Sequence, residues 1–104
     1  MSAANSARGE ASFNVGAAEI LLRPSFAALV AAEAELGPLF SLVERAADGR
    51  LTLGEIASLF FHCAVGLPDG VTEDRIGQAI VERGLTKATP VLRVLLTQIL
   101  QGRV

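Results

Sequence analysis

The amino-acid sequence predicts an α+β fold, mainly α, in which an N-terminal β-hairpin is followed by about five short helices. Apolar and polar residues alternate from Ala11 to Val15, and a run rich in strand formers follows from Glu19 to Arg23. Beyond that point, helix start and stop signals recur five times and bracket apolar residues at helical spacing. With 104 residues, of which 51% are apolar, the chain has the size and the material for one buried core.

The predicted hairpin occupies about residues 10–23. Ala11, Phe13 and Val15 alternate with polar residues, and a second run rich in strand formers follows Gly16. A tight turn at that glycine requires a positive φ, which glycine adopts readily. A two-stranded hairpin is marginal in water, so we expect it to lie against the helices or to pair with another chain.

Two short and nearly contiguous helices are predicted next. Ser25 is a good N-cap for the first helix, because its hydroxyl can accept a hydrogen bond from a free backbone N–H, and Gly37 ends it. Pro38 suits the first turn of the second helix, which stops at Asp48-Gly49.

The third and fourth helices are marked by their caps. Thr52 and Glu55 have the spacing of a capping box, so a helix is expected from there to about Val65. Thr72 caps the next helix, and Gly84 ends it.

The last helix is predicted to begin near Thr86 or at Thr89-Pro90. Its apolar residues form two adjacent rows, Val91, Leu95 and Ile99 in one and Leu92, Leu96 and Leu100 in the other. One row can face the core. The other is also core if the helix is sandwiched, and otherwise it is an exposed apolar patch that binds another protein. Leu92 and Leu96 are therefore candidate protein-interaction residues.

Glu33 is a third candidate interaction residue. It shares one stripe of its helix with Phe26 and Val30, so it projects from an apolar face. A carboxylate in that position must be paired, because burying it alone is costly. We expect either an internal ion pair with Arg23 or Arg45, or a contact with a partner protein.

Cys63 and His62 are adjacent, and the sequence holds one of each. Consecutive helical residues point about 100° apart, which places His62 on a polar face with Ser58 and Cys63 on the apolar face. The prediction is a solvated histidine and a core cysteine. A zinc site or a histidine-based triad would lack parts, and no glycine-rich phosphate loop follows a strand, so we expect no enzyme activity and no cofactor.

The segment from Glu44 to Glu55 matches the second half of an EF-hand loop. Its first half fails, because Glu44 replaces the expected aspartate and Ala46 offers no side-chain oxygen at the third position. A calcium-binding module is therefore a remote alternative to a helix stop followed by a capping box.

Charge and hydropathy indicate the kinds of partner. The formal charge is −2 and the basic residues are scattered, so we expect no nucleic-acid partner. The longest apolar stretch is too short and too interrupted to span a bilayer, so we expect no membrane association. A lone cysteine suits the cytoplasm. Residues 1–8 are expected to form a flexible arm and residues 9–104 a single globular domain.

The sequence Leu22-Arg23-Pro24-Ser25-Phe26-Ala27-Ala28-Leu29, followed by Glu33 and Leu36-Gly37, resembles the small tail protein of gene transfer agents and related prophages. The resemblance covers roughly residues 9–100. Members of that family are labelled tail tube proteins, while their size and gene order resemble tail assembly chaperones, which coat the tape-measure protein. The resemblance implies that the partner is a tape-measure or tail tube protein and that the chain has no catalytic residues. It also allows self-association. The implied location is the bacterial cytoplasm, with incorporation into phage-like particles as the alternative.

Overall fold

The computed structural model of the protein describes residues 9–102 and shows an α+β fold, mainly α, as predicted. The elements in chain order are β1 (Ala11–Val15), β2 (Ala18–Leu22), α1 (Phe26–Leu36), α2 (Leu39–Ala47), α3 (Leu53–Cys63), β3 (Ala64–Val65), α4 (Glu73–Arg83) and α5 (Leu85–Gln101). The predicted flexible arm, residues 1–8, lies outside the described residues.

The sheet is antiparallel with the strand order β1-β2-β3. Val15 pairs with Ala18 across a two-residue turn in which Gly16 has a φ of 61°, so the predicted hairpin is confirmed. The prediction that the third helix runs to about Val65 is wrong, because Ala64 and Val65 leave α3 and pair with β2 as a third strand. A further helical turn would satisfy its own backbone groups but leave those on this edge of β2 unpaired, whereas Ala64 and Val65 pair with them.

The side-chain caps predicted from the sequence are present. Ser25 accepts a hydrogen bond from the Ala28 N–H of α1, and Thr72 accepts one from the Arg75 N–H of α4. At the start of α3, the Thr52 side chain accepts from the Glu55 N–H while the Glu55 carboxylate accepts from the Thr52 N–H, which completes the capping box.

Two helix starts differ from the prediction, and both involve proline. Pro38 is the N-cap of α2 instead of a residue in its first turn. Helix α5 starts at Leu85, directly after Gly84, so the option of a start at Thr89-Pro90 is wrong and Pro90 lies inside the helix. Because proline has no backbone N–H, the carbonyl four residues earlier in α5, that of Thr86, has no helical hydrogen-bond donor. Pro90 is exposed, so water can bind this carbonyl.

Helix α3 lies at the centre of the core and packs against both α1 and α4. Phe60 is fully buried and meets Phe13 of β1 edge to face, with ring centroids 5.4 Å apart. The core cysteine was predicted correctly, since Cys63 is buried. The remaining buried apolar residues from the sheet and the other helices include Val15, Ile20, Leu22, Ala32, Leu42, Ile76, Ile80, Ala88 and Leu95.

The central position of α3 also corrects the prediction for His62. The face of α3 that looks polar in the sequence packs against α1, so Ser58 is buried and the His62 side chain is mostly covered. His62 donates through Nε2 to the Glu35 carboxylate on α1 at 2.7 Å. This hydrogen bond holds the pKa of Glu35 below its usual value. The histidine is therefore a link between two helices and not a freely solvated residue.

Polar contacts and one close backbone approach hold the strands to each other and to the helices. The Arg23 guanidinium contacts the buried Glu10 carboxylate at 2.6 Å. Arg83 of α4 donates to the Asn14 carbonyl of β1 at 2.9 Å. Just before β1, Gly9 has a φ of 75°, and a Cβ there would lie 2.4 Å from the Gln98 side chain of α5. Only glycine fits this approach.

Between residues 9 and 102, none of the helices by itself combines the length and the hydropathy needed to cross a membrane. Helices α1 and α2 pass such a test only when taken together, and a bend of 77° separates them.

Candidate functional site

The two apolar rows of α5 have different surroundings. Leu95 is completely buried and Val91 of the same row packs against the core, whereas Ile99 of that row lines a surface cavity. In the second row, Leu92 and Leu96 are half-buried, whereas Leu100 keeps 58% of its surface exposed. The second row therefore lies along the wall of an apolar groove, partly supported by the core and partly open to solvent.

The groove runs between α5 and α2 and consists of two adjoining cavities that share Leu100. The larger cavity has a volume of about 420 Å³ and is lined by Ala46, Gly49, Leu51, Ile56, Leu85, Thr89, Leu92, Arg93, Leu96, Thr97 and Leu100. The smaller has a volume of about 200 Å³ and is lined by Leu39, Phe40, Val43, Ile99 and Leu100. We call these two cavities together the α2–α5 groove.

Carboxylates hold α2 at both ends and so define one wall of the groove. At its N-terminal end, the Glu33 side chain of α1 accepts a hydrogen bond from the Leu39 N–H at 3.0 Å. At its C-terminal end, Arg45 forms an ion pair with Glu55 of α3. Leu42 is fully buried in between. Leu39, Val43 and Ala46 lie on the same apolar side of α2 as Leu42, and they line the groove opposite residues of α5.

The rim of the groove on α5 is polar. Thr89, Arg93 and Thr97 recur every four residues, so they lie on one line along the helix. All three are exposed, and Arg93 is the charged residue that lines the larger cavity. An apolar wall beside a polar line is the arrangement that binds an amphipathic helix or an extended apolar segment.

The structure places the three candidate interaction residues in two locations. Leu92 and Leu96 lie together in the α2–α5 groove. Glu33 lies outside it, exposed at the junction of α1 and α2. The expected ion pair of Glu33 with Arg23 or Arg45 is wrong, because those two arginines pair with Glu10 and Glu55 instead. The turn between α1 and α2 brings the Glu33 carboxylate to a free backbone N–H, which satisfies it.

The groove residues contributed by α2 were missed from the sequence. Phe40 has 81% of its surface exposed and stands apart from the buried side of α2, which is centred on Leu42. A large aromatic residue off the core stripe of an amphipathic helix is a signal for an interaction surface. The sequence position of Phe40 thus indicates that α2 has an interaction surface, but it does not reveal that Ile99 and Leu100 of α5 line the same cavity.

The residues of the remote calcium-binding alternative are engaged in contacts within the fold. The Glu55 carboxylate binds the Thr52 N–H and Arg45, and these contacts lower its pKa. Asp48 contacts Arg50 at 3.1 Å. Within the part of the chain that the structure describes, no group of three or more His, Cys, Asp and Glu residues is arranged to hold a metal ion.

A comparison with protein families gives one match. The family model described as phage tail tube protein, GTA-gp10, matches residues 8–102. No curated protein and no solved structure matches the chain. The matched range spans the hairpin, all five helices and every residue of the α2–α5 groove.

Proposed function

The chain belongs to the phage tail tube protein family described as GTA-gp10, and from that premise we propose that it is a tail assembly chaperone that binds the tape-measure protein. This family is one of phage tail proteins and not of enzymes. The observation that carries the proposal is the α2–α5 groove, an apolar depression beside the core whose residues Phe40 and Leu100 the fold leaves exposed.

The dimensions of the groove favour a helical segment as its occupant. Leu92, Leu96 and Leu100 lie one turn apart, so the row extends over about 12 Å of α5. A helix that docks along this row would present apolar residues at the same spacing, as amphipathic helices do in hydrophobic grooves. A tape-measure protein is a long chain that can offer many such segments in succession.

Arg93 adds a charge requirement to the proposed partner. Its guanidinium stands on the rim beside the apolar row. A partner segment that carries a carboxylate next to its apolar stripe would complement this charge. We therefore expect amphipathic segments with acidic flanks to bind better than equally apolar segments with basic flanks.

The small sheet also supports a chaperone over a tube subunit. A tube subunit contributes strands to a closed β-ring, whereas residues 9–102 contain a sheet of three strands, of which β3 has two residues. A protein with this sheet and a prominent groove suits transient binding in the bacterial cytoplasm, before the tail is complete.

A structural tail component retained in the particle is the second candidate. Strand β1 lies at an edge of the sheet, where a neighbouring subunit can add a strand. Arg83 occupies one acceptor on this strand, the Asn14 carbonyl. Strand addition in a particle would have to displace that arginine, which makes this candidate the weaker one.

Co-expression with the cognate tape-measure protein tests the proposal. We expect the wild-type chain to co-purify with it, and we expect Phe40→Ser and Leu100→Ser, both at exposed groove positions, to fold normally and lose the partner. The control is Val81→Ser, which removes a similarly exposed apolar residue from α4, outside the groove. Retention of the partner by both groove variants would refute the role of the groove.

Mass spectrometry of purified particles separates the two candidates. A chaperone leaves before the tail is complete, so we expect at most traces of the chain in finished particles. Stoichiometric amounts in the particle, together with failure of the wild-type chain to co-purify with the tape-measure protein, would replace the chaperone with the structural component.

A further inference from the structure

Helix α1 is apolar on two opposite sides, and the fold covers only one of them. Ala32 is buried and Leu29 packs against the core. On the other side, Phe26 has 85% and Val30 has 49% of its surface exposed. These two residues and the exposed Ala27, Ala31 and Ala34 form one continuous strip, which we call the outer face of α1. Glu33 and Glu35 flank this strip, and a contiguous apolar strip that the fold leaves exposed is typical of an interaction surface.

The outer face is separate from the α2–α5 groove, because no residue of α1 lines either cavity of the groove. It therefore needs an occupant of its own. We propose that this occupant is a second copy of the same chain, with the two α1 helices packed antiparallel about a two-fold axis near Val30 and Ala31.

The order of large and small residues along the outer face makes it complementary to itself. The large side chain, Phe26, lies at the N-terminal end, and the small one, Ala34, lies two turns later. An antiparallel arrangement about Val30 and Ala31 places each Phe26 on Ala34 of the other copy. A parallel arrangement would place Phe26 against Phe26 and leave the alanines facing each other across a gap. A two-fold interface requires this kind of self-complementarity.

The charges of α1 also fit the antiparallel arrangement. Glu33 and Glu35 lie in its C-terminal part, and its first turn has no acidic residue. Acidic groups are unfavourable near the C-terminal end of their own helix and favourable near an N-terminal end. In the antiparallel pair, Glu33 of one copy lies beside the N-terminal half of the other, whose exposed residues Phe26 and Ala27 carry no acidic group to repel it.

The size of the outer face determines the strength of the association. Helix α1 has 11 residues, which gives a length of about 16 Å. An interface of one such helix per subunit is smaller than the standard interface of a specific, stable complex, and this size fits a weak association. We therefore expect a dimer that dissociates on dilution and does not compete with the groove for its partner.

Sedimentation velocity over a range of concentrations tests the association. We expect the sedimentation coefficient of the wild-type chain to rise from the monomer to the dimer value with concentration, and that of Phe26→Ser to stay at the monomer value. Val81→Ser, an exposed apolar change on α4, should behave as the wild type does. A wild-type chain that stays monomeric overturns the proposal, and so does a dimer that survives Phe26→Ser.

Cysteine cross-linking tests the direction of packing. Near the axis, Ala31→Cys brings the two introduced thiols together, whereas the two copies of Ala34→Cys are separated by about 12 Å along the helices, beyond disulfide reach. The native Cys63 is buried and does not interfere. We expect mild oxidation to link the Ala31→Cys variant and to leave the Ala34→Cys variant unlinked. Equal linking of both variants, or linking of the second alone, refutes the antiparallel arrangement.

The Phe26→Ser variant also tests whether the outer face of α1 binds the tape-measure protein instead of a second copy of the chain. If the wild-type chain is monomeric and Phe26→Ser abolishes co-purification with the tape-measure protein, the face binds that partner and the proposed dimer is wrong. If Phe26→Ser abolishes the dimer while co-purification persists, the dimer face and the groove are independent, as proposed.

Discussion

Replacement of Glu33 by alanine tests the junction between α1 and α2. Glu33 serves this junction twice, since its side chain accepts a hydrogen bond from the Leu39 N–H and its backbone carbonyl accepts one from Gly37. Alanine removes the first bond and keeps the second. The first N–H of α2 then depends on water, while the rest of the fold keeps its contacts.

The expected cost follows from the position of Glu33. The contact is an exposed cap made by a side chain, and removal of such a cap destabilises a protein by about 1 kcal/mol. Loss of one partner of a buried ion pair would cost about 3–5 kcal/mol. For a domain of this size, about 1 kcal/mol corresponds to a fall in Tm of about 4–8 °C.

Urea unfolding followed by circular dichroism at 222 nm measures the loss. Glu33→Gln keeps an oxygen acceptor and removes only the charge near the N-terminal end of α2, so we expect a smaller cost, about 0.3–1 kcal/mol. Glu82→Ala removes an exposed glutamate from α4, and we expect a change within about 0.5 kcal/mol.

Two outcomes would contradict the reasoning about Glu33. A loss of about 3 kcal/mol or more would mean that the carboxylate balances a buried charge. No loss combined with weaker binding of the tape-measure protein would mean that Glu33 serves a partner and not the fold. We expect normal binding, because Glu33 lies outside the α2–α5 groove.

Three further predictions concern titrating groups and metal binding. Burial raises the pKa of Cys63 to about 12, so a thiol-reactive disulfide reagent at pH 8 should label it only as fast as the fold opens. Hydrogen bonds from His62 to Glu35 and from the Thr52 backbone to Glu55 lower both carboxyl pKa values below 4.5. The two carboxylates contribute stability that is complete above pH 4.5 and is lost as the pH falls through their lowered pKa values. We expect the free energy of unfolding, measured by urea titration between pH 6 and pH 3, to fall less in Glu55→Gln than in the wild type. Millimolar calcium should leave the Tm unchanged relative to magnesium, since Glu55 is already engaged within the fold, and a calcium-specific rise would contradict this.

The hairpin and most helix boundaries could be predicted from the sequence because local chemistry determines them. A turn glycine such as Gly16 and cap residues such as Ser25, Thr52 and Thr72 act within four residues of their own position. The sequence therefore carried the signals for these elements in full.

The features that the sequence did not predict depend on tertiary neighbours. Ala64 and Val65 form a strand because β2 has a free edge beside them. His62 is covered because α1 packs on the side of α3 that looks polar in the sequence. Apolar spacing showed that α5 has two rows, but only the placement of α2 shows that Leu92 and its row border a groove.

The approach of Gly9 to Gln98 brings the start of the described chain to its last helix. Three residues after Gln98, α5 ends at Gln101, so the first and the last described residues lie on the same side of the molecule. A short linker could join the two ends, and new ends could be opened in an exposed loop such as residues 68–70, with the core unchanged. In such a permuted chain, the linker would follow α5 directly beside Leu100 and the α2–α5 groove.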